Sequence, residues 1–508
     1  MSRIFVAAMA PVLLLTMCTA RASTTPAPEL HDRAASSVED AAQMVQQAFD
    51  DLSRNDVPSA QAELEEAIQA RDFADLPADL RYRALLAASL LAEQNGDNRK
   101  AHNLTLQATA FDEADDTAWT TRLSTAFSLG DYHDAGRSLA VSARRWPEKL
   151  GDLMPSAIWQ LHHHLKQAND TDADREMLDA LFDAGWQDNG VEPSDLWRDL
   201  ALLYVQRDEI ERATTVALRI ASGQTALSML VDKRFDPITL KHPRAFDVDR
   251  LVAAEIEAAE TRTKAHPDQL APITDLQELL LITGRYPRVL SVSDEAVAHA
   301  AYGDGEKAYT DFSEKYNWVL DNRFRALVRE GHWDDASRVE ELAARRPEQG
   351  GMNVSQLINL GELYADLNRP GKAADAIAEL GDVSPYGRMQ LESVKLRIAA
   401  EKSDDAAVAA AMAYLREHRA DAIATWEDAL LFRGELDAAA ALLIERLENP
   451  AWRNRALLDM QRYAQVTETP VDKMIHDRWN TITARPDVEA VMRKVGRVKR
   501  FDITAELR

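Results

Sequence analysis

His162, His163 and His164 stand in a row, and three imidazoles are a common way to hold a transition metal. Neighbouring positions on a helix point about 100° apart, so these rings cannot converge on one ion. They read as solvated or groove-lining side chains. Asp170, Asp172 and Asp174 imitate the opening of a calcium loop. Arg175, however, takes the place that wants glycine, and Leu181 takes that of the closing glutamate. Capping or turn carboxylates explain the three aspartates better. The chain has no phosphate loop, dinucleotide fingerprint, zinc-protease histidine pair or nucleophile elbow. Asp and Glu supply 84 of 508 residues, so carboxylates adjacent in sequence carry no information about acid–base work. No catalytic residue, metal or cofactor is therefore expected.

The patterning that does recur is architectural. Leu357, Leu360, Gly361 and Tyr364 fall at i, i+3, i+4 and i+7 and share one helical face. After a break at Asn368, Arg369, Pro370 and Gly371, a second helix is expected to set Ala373, Ile377 and Leu380 on a stripe facing back. Gly361 and Ala373 are small where the two helices must approach, and Pro385 is expected beyond the second helix, stopping it. The same order returns at Trp119, Gly130–Asp131, Tyr132, Ala135, Leu139 and Pro147, and at Trp197, Leu200, Ala201, Tyr204 and Ala213. Weaker echoes surround Asp56, Gly96, Gly284, Gly331 and Gly434. Arg122 and Arg323 stand where the pattern usually has leucine.

This spacing resembles the tetratricopeptide repeat, with roughly seven to nine recognisable units over most of the chain. The resemblance implies an all-α fold, an α-solenoid of stacked antiparallel helix pairs wound as a right-handed superhelix. Trp119, Tyr132, Ala135, Trp197, Tyr204, Ala213, Leu360, Gly361, Tyr364, Ala373 and Pro385 would form repeat cores. It also implies that non-core positions of each first helix line a concave groove. Those positions are Arg198 and Gln206, then Trp318, Asp321, Arg325 and Arg329, then Ser355, Ile358, Glu362 and Asp366. The lysine–asparagine clamp by which some relatives hold C-terminal carboxylates is absent from these positions. Glu362 and Asp366 would repel such a ligand and favour basic or neutral peptides.

Composition agrees with a helical chain: Ala, Leu, Glu and Arg abound, and long β-branched alternation is missing. Arg3, the apolar run 4–17 and Ala20-Arg21-Ala22 read as a leader cleaved after Ala22. The alternative is a lipoprotein anchored at Cys18, the only cysteine, although Met17 is large for that motif. Arginine over lysine, with abundant alanine, is the usage of a GC-rich Gram-negative bacterium, which makes the periplasm the expected address. The net charge is −25, and it becomes more negative once Arg3 and Arg21 leave. Such a surface disfavours nucleic acid and anionic lipid. A basic cluster (Arg493, Lys494, Arg497, Lys499, Arg500 and Arg508) closes the chain.

The expected organisation is a flexible lead over 23–36, a helical array over 37–221 and an irregular break over 222–248. A second array over 249–470 and basic capping helices over 471–508 follow. Lys233-Arg234-Phe235-Asp236 is echoed by Lys499-Arg500-Phe501-Asp502, as if each closed a half-array. The expected function is a non-catalytic interaction scaffold holding an envelope protein or extended peptide. One alternative is an enzyme, or the regulatory arm of one, with a pocket at the irregular middle. Another is a self-associating structural protein.

Overall fold

The computed structural model describes residues 38–303, 305–346 and 353–504. The leader, Cys18, the whole lead segment 23–36 and Arg508 lie outside the described residues. Among the described residues all regular structure is helical, with isolated bridges at Asp188–Val191, Asp232–Gly496 and Arg462–Arg500. Contacts divide the chain into two compact units, Met1–Ile220 and Ala221–Arg508.

Among the described residues, ten helix hairpins, five in each unit, share one turn. Its first residue has a left-handed φ of 54–81°: Asn55, Gly96, Gly130, Asn169, Asp208, Gly284, Gly331, Asn368, Ser403 or Gly434. The next residue donates its backbone N–H five residues back at 2.8–3.0 Å, as from Asp131 to Ala126 and from Arg369 to Tyr364. That bond satisfies a carbonyl the ending helix would otherwise orphan. The same next residue opens the second helix, and at Asp56, Asp97, Asp131, Asp170 and Asp404 its carboxylate also caps the new N-terminus. Four residues further on the side chain is buried between the two helices. It is alanine in seven hairpins (60, 101, 135, 213, 336, 373 and 439), valine at 289 and 408, and aspartate at 174.

Neighbouring hairpins stack along each unit. Polar ties from Asn95 to Gln61, Lys166 to Asp199, Arg369 to Asp334 and Arg397 to Glu362 span 33–35 residues. Each unit is thus an α-solenoid of antiparallel helix pairs, in which a hairpin buries its apolar stripe against the next. The two misplaced arginines find carboxylates: Arg122 pairs with Asp134, and Arg323 with Asp294.

Three expectations need correction. The stretch 222–248 holds the helix Gly223–Val231 and the short turns Lys233–Phe235 and Asp236–Thr239, and it belongs to the second unit. In the best-matching hairpin the second helix is only Pro370–Ala376. Pro385 therefore does not stop it; Pro385 begins the helix Pro385–Glu401 and is exposed rather than part of a repeat core. Proline suits that first position because its missing N–H has no intrahelical partner there anyway.

The third concerns the chain's end. The helix Pro470–Thr483 packs on the last hairpin and also reaches Val354–Asp366. The segment after Val495 then crosses the second unit. Arg497 N–H bonds Val231 O at 3.0 Å, Phe501 N–H bonds Arg462 O at 2.9 Å, and Thr504 N–H bonds Ile282 O at 2.7 Å. Together with Thr467 on Arg329 O and Arg478 on Leu431 O, these contacts cap the carbonyl ends of three first helices. The two Lys-Arg-Phe-Asp segments close one unit, not two half-arrays. Gly496 permits the crossing, since a Cβ there would meet Val231 O at 2.7 Å.

Candidate functional site

In the second unit the first helices of successive hairpins turn their polar stripes toward a shared cavity of about 1700 Å³. Phe312–Glu330 contributes Asp321, Arg325 and Arg329; Val354–Asp366 contributes Asn359, Glu362 and Asp366. Pro385–Glu401 contributes Tyr386, Gln390, Ser393 and Arg397, spaced i, i+4, i+7 and i+11. Ile423–Arg433 adds Thr425 and Asp428, while Pro470–Thr483 adds Asp472, His476 and Trp479. The non-helical strap 461–469 and the tail residues Arg493 and Arg497 complete the wall.

Electrostatics in this wall is dominated by burial. Arg397 Nη1 donates to Glu362 at 3.1 Å and also to Asp366. Burial alone would lower the Arg397 pKa, but the charges of Asp366, Glu362, Asp472 and Asp428 outweigh it and keep the guanidinium firmly protonated. Asp366 is held well above the ordinary carboxylate range, by burial first and then by Asp472 and Glu362 against the pull of Arg397. Glu362 is raised by burial first and then by Asp472 and Asp428, again against Arg397. Asp321 is raised by burial, although Arg325 lies near and Asn359 donates to it at 2.9 Å.

Of the groove residues expected from sequence, Arg325, Arg329, Glu362 and Asp366 meet in this one cavity, together with Asp321 and Ile358. Arg329 and Asp366 are buried in its wall rather than free on a concave surface. Trp318 is 38% exposed and stands outside the lining. Arg198, in the first unit, is not an open groove residue: its guanidinium is held by Asp199 at 2.7 Å. An acidic neighbour one residue along takes up the charge that was expected to face a ligand.

The core positions behave as packing. Ala135, Trp197, Ala213 and Ala373 are fully buried, and Tyr204, Leu360 and Tyr364 nearly so. Trp119 is half-buried under Arg122, and Tyr132 stacks on His164 with ring centroids 4.0 Å apart. Gly361 is needed because a Cβ would come within 2.7 Å of Ile377 Cγ2.

Sequence reasoning missed Arg397, Asp428, Asp472 and Trp479. The polar stripe of Pro385–Glu401 was available at helical spacing, but its role needed the neighbouring helix. The histidine row also resolves differently. His163 is exposed and His164 stacks on Tyr132, whereas His162 is buried, with Nδ1 2.7 Å from Asp174 and Nε2 3.1 Å from Asp199. Among the described residues no group of three or more His, Cys, Asp or Glu is arranged to hold a metal ion. No helix among them is long and apolar enough to cross a membrane.

No protein-family model matches the chain, and no curated protein matches it. Among solved structures it is similar to the APC/C hetero-tetramer Cut9–Hcn1 at 13% identity and a TM-score of 0.28, over 90% of this chain and 96% of that one. It is also similar to the yeast Tom70 at 12% identity and a TM-score of 0.27, over 90% and 99%. A designed circular tandem repeat protein aligns at 13% identity and a TM-score of 0.13, over 90% of each chain. At such scores the likeness carries no argument, and the solenoid assignment stands on the chain's own hairpins.

Proposed function

We propose that this chain is an exported, non-catalytic interaction scaffold of the bacterial cell envelope, whose second unit holds a segment of another protein in its cavity. One observation carries the reading: successive first helices spend their apolar faces on neighbouring hairpins and turn polar stripes into one space of about 1700 Å³. A large cavity with a few convergent polar groups is the usual form of a binding site. The leader-like residues 1–22 support export, and an intact mass beginning at Ser23 in the periplasmic fraction would test it.

The binding claim is tested by placing a photo-crosslinking amino acid at Tyr386, which lines the cavity and is 61% exposed, and at Tyr302, which is 93% exposed and outside it. Irradiation of intact cells should yield one defined adduct at 386, identified by mass spectrometry, and none at 302. Identical adduct patterns at both sites would sink the proposal.

A hydrolytic reading draws on the same wall, because a carboxylate held protonated can donate a proton. Against it, Glu362 and Asp366 are already tied to one guanidinium, and His476 is tied to Glu468. These pairings build an electrostatic wall rather than a proton-transfer pair.

A further inference from the structure

We infer that the tail end of the second unit's cavity is an anion site, built by Arg462 and Arg500, that takes the carboxylate of an aspartate or glutamate side chain on the partner segment. The inference rests on the scaffold reading and specifies the chemistry of its partner.

The first observation is how the backbone places these two arginines. Arg462 N–H bonds Lys499 O at 3.0 Å, and Phe501 N–H bonds Arg462 O at 2.9 Å. Strap and tail thus form a parallel bridge with Arg462 directly opposite Arg500, and both side chains line the cavity. Like charges held opposite one another are destabilising unless something neutralises them. Among the described residues Arg462 has no ion-pair partner. Arg500 has only Asp502 at 4.0 Å, in a pair whose side chains are 80% and 86% exposed and whose attraction is therefore weak. In a chain of net charge −25, an arginine pair left so open is out of character.

The second observation is the field around the pair. Lys233 lines the same end, and its ammonium donates to the Arg493 carbonyl rather than to a carboxylate. Arg497 takes up Asp236, and Arg493 takes up Glu489, so neither acid is left for Arg462 or Arg500. The Lys499 ammonium, next to Arg500 in the chain, has its pKa lowered by burial first and then by Arg497, against the pull of Asp236. Elsewhere in the wall, Glu362 and Asp366 already share Arg397. Two guanidiniums side by side offer forks of N–H donors that a carboxylate accepts in bidentate fashion. A polyanion is the wrong source, because the chain's overall negative charge repels nucleic acid and anionic lipid as they approach. A single carboxylate on an otherwise neutral segment meets mainly the local field of the arginine pair.

The test uses the full-length protein and heptapeptide pools, acetylated and amidated, degenerate in uncharged residues, with Glu, Gln, Lys or Leu fixed at the centre. Retention in equilibrium dialysis is read by mass spectrometry. Pyrophosphate and a Gln pool with a free C-terminal carboxylate form separate arms. The Glu pool should be retained about tenfold over the amidated Gln, Lys and Leu pools, equivalent to about 1.4 kcal/mol. Arg462→Gln and Arg500→Gln should each reduce that preference several-fold without lowering the melting temperature, because the bridge uses backbone atoms and a like-charge pair is relieved. If either variant melts lower, Lys233→Gln replaces it. Stronger retention of pyrophosphate or of the free-carboxylate pool than of the Glu pool would keep the anion site but overturn the side-chain carboxylate as its source. Equal retention of the Glu and Gln pools, or retention of none, would overturn the inference. The adduct at 386 is a separate readout, so the scaffold reading can survive that failure.

Discussion

Arg497 donates to both carboxylate oxygens of Asp236 at 2.6 Å, joining positions 261 residues apart. This bidentate pair, with the backbone bond from Arg497 to Val231, fastens the last residues of the second unit to its first ones. A hairpin stack left open would have two free ends; here the tail covers carbonyl groups along the way.

Weakening that closure should loosen the second unit. Arg497→Ala removes a half-buried, bidentate pair and is expected to cost about 1–2 kcal/mol. Gly496→Ala should do at least as much, because its Cβ would press on Val231 O and Leu457. Hydrogen exchange read by mass spectrometry should show faster exchange in 230–236 and 496–504, with the first unit unchanged. Uniform protection would contradict the closure.

Arg446 is fully buried and pairs with Glu427 and, at 2.7 Å, with Asp459. Arg446→Ala removes the buried guanidinium shared by Glu427 and Asp459, although Asp459 keeps Arg455 at 3.0 Å, and should destabilise the second unit by about 3 kcal/mol in urea denaturation. Replacing Arg446 with Met and Glu427 with Leu together should recover much of the loss, since a well-packed apolar pair avoids desolvation. A double variant no better than the single would show that the ion pair is not the source.

His162 makes the first unit sensitive to pH. Burial alone would push its pKa down, but the hydrogen bonds to Asp174 and Asp199 outweigh this and hold it above its ordinary value. A histidine raised on folding stabilises fully below its unfolded pKa, and that contribution is lost as pH rises through the folded value. The first unit should therefore melt lower as pH climbs from 6 toward 9, and His162→Gln should flatten that slope. Parallel melting curves for wild type and variant would refute the assignment.

Two glycines in one hairpin make opposite predictions. Gly361→Ala gains about 1 kcal/mol of helix propensity but drives a Cβ to within 2.7 Å of Ile377, an overpacking worth about 1–3 kcal/mol, so a net loss is expected. Gly371→Ala meets nothing within 4 Å and should stabilise by about 0.5 kcal/mol. Thermal melts of the two variants should shift in opposite directions.

Much of the hairpin series was legible in the residues alone. The turns at Gly96, Gly130, Gly284, Gly331 and Gly434 announced themselves, because glycine enters the left-handed region without strain. The turns at Asn169 and Ser403 escaped notice because the same conformation is reached there without glycine. At the former, Asp174 also replaces the small core residue and hides the pattern; inside, its carboxylate has His162 Nδ1 at 2.7 Å as a hydrogen-bond partner.

Sequence by itself determined the all-helical hairpins, their small packing residues and six of the side chains that meet in the cavity. A local pattern dictates which face of a helix is buried and where it must end, since those depend on positions three to five residues apart. Tertiary structure alone decided that the second unit closes on itself, that Arg397 would sit between Glu362 and Asp366, and that His162 would be buried. Those outcomes depend on contacts between residues tens to hundreds of positions apart, whose charges and volumes become neighbours only once the hairpins have stacked.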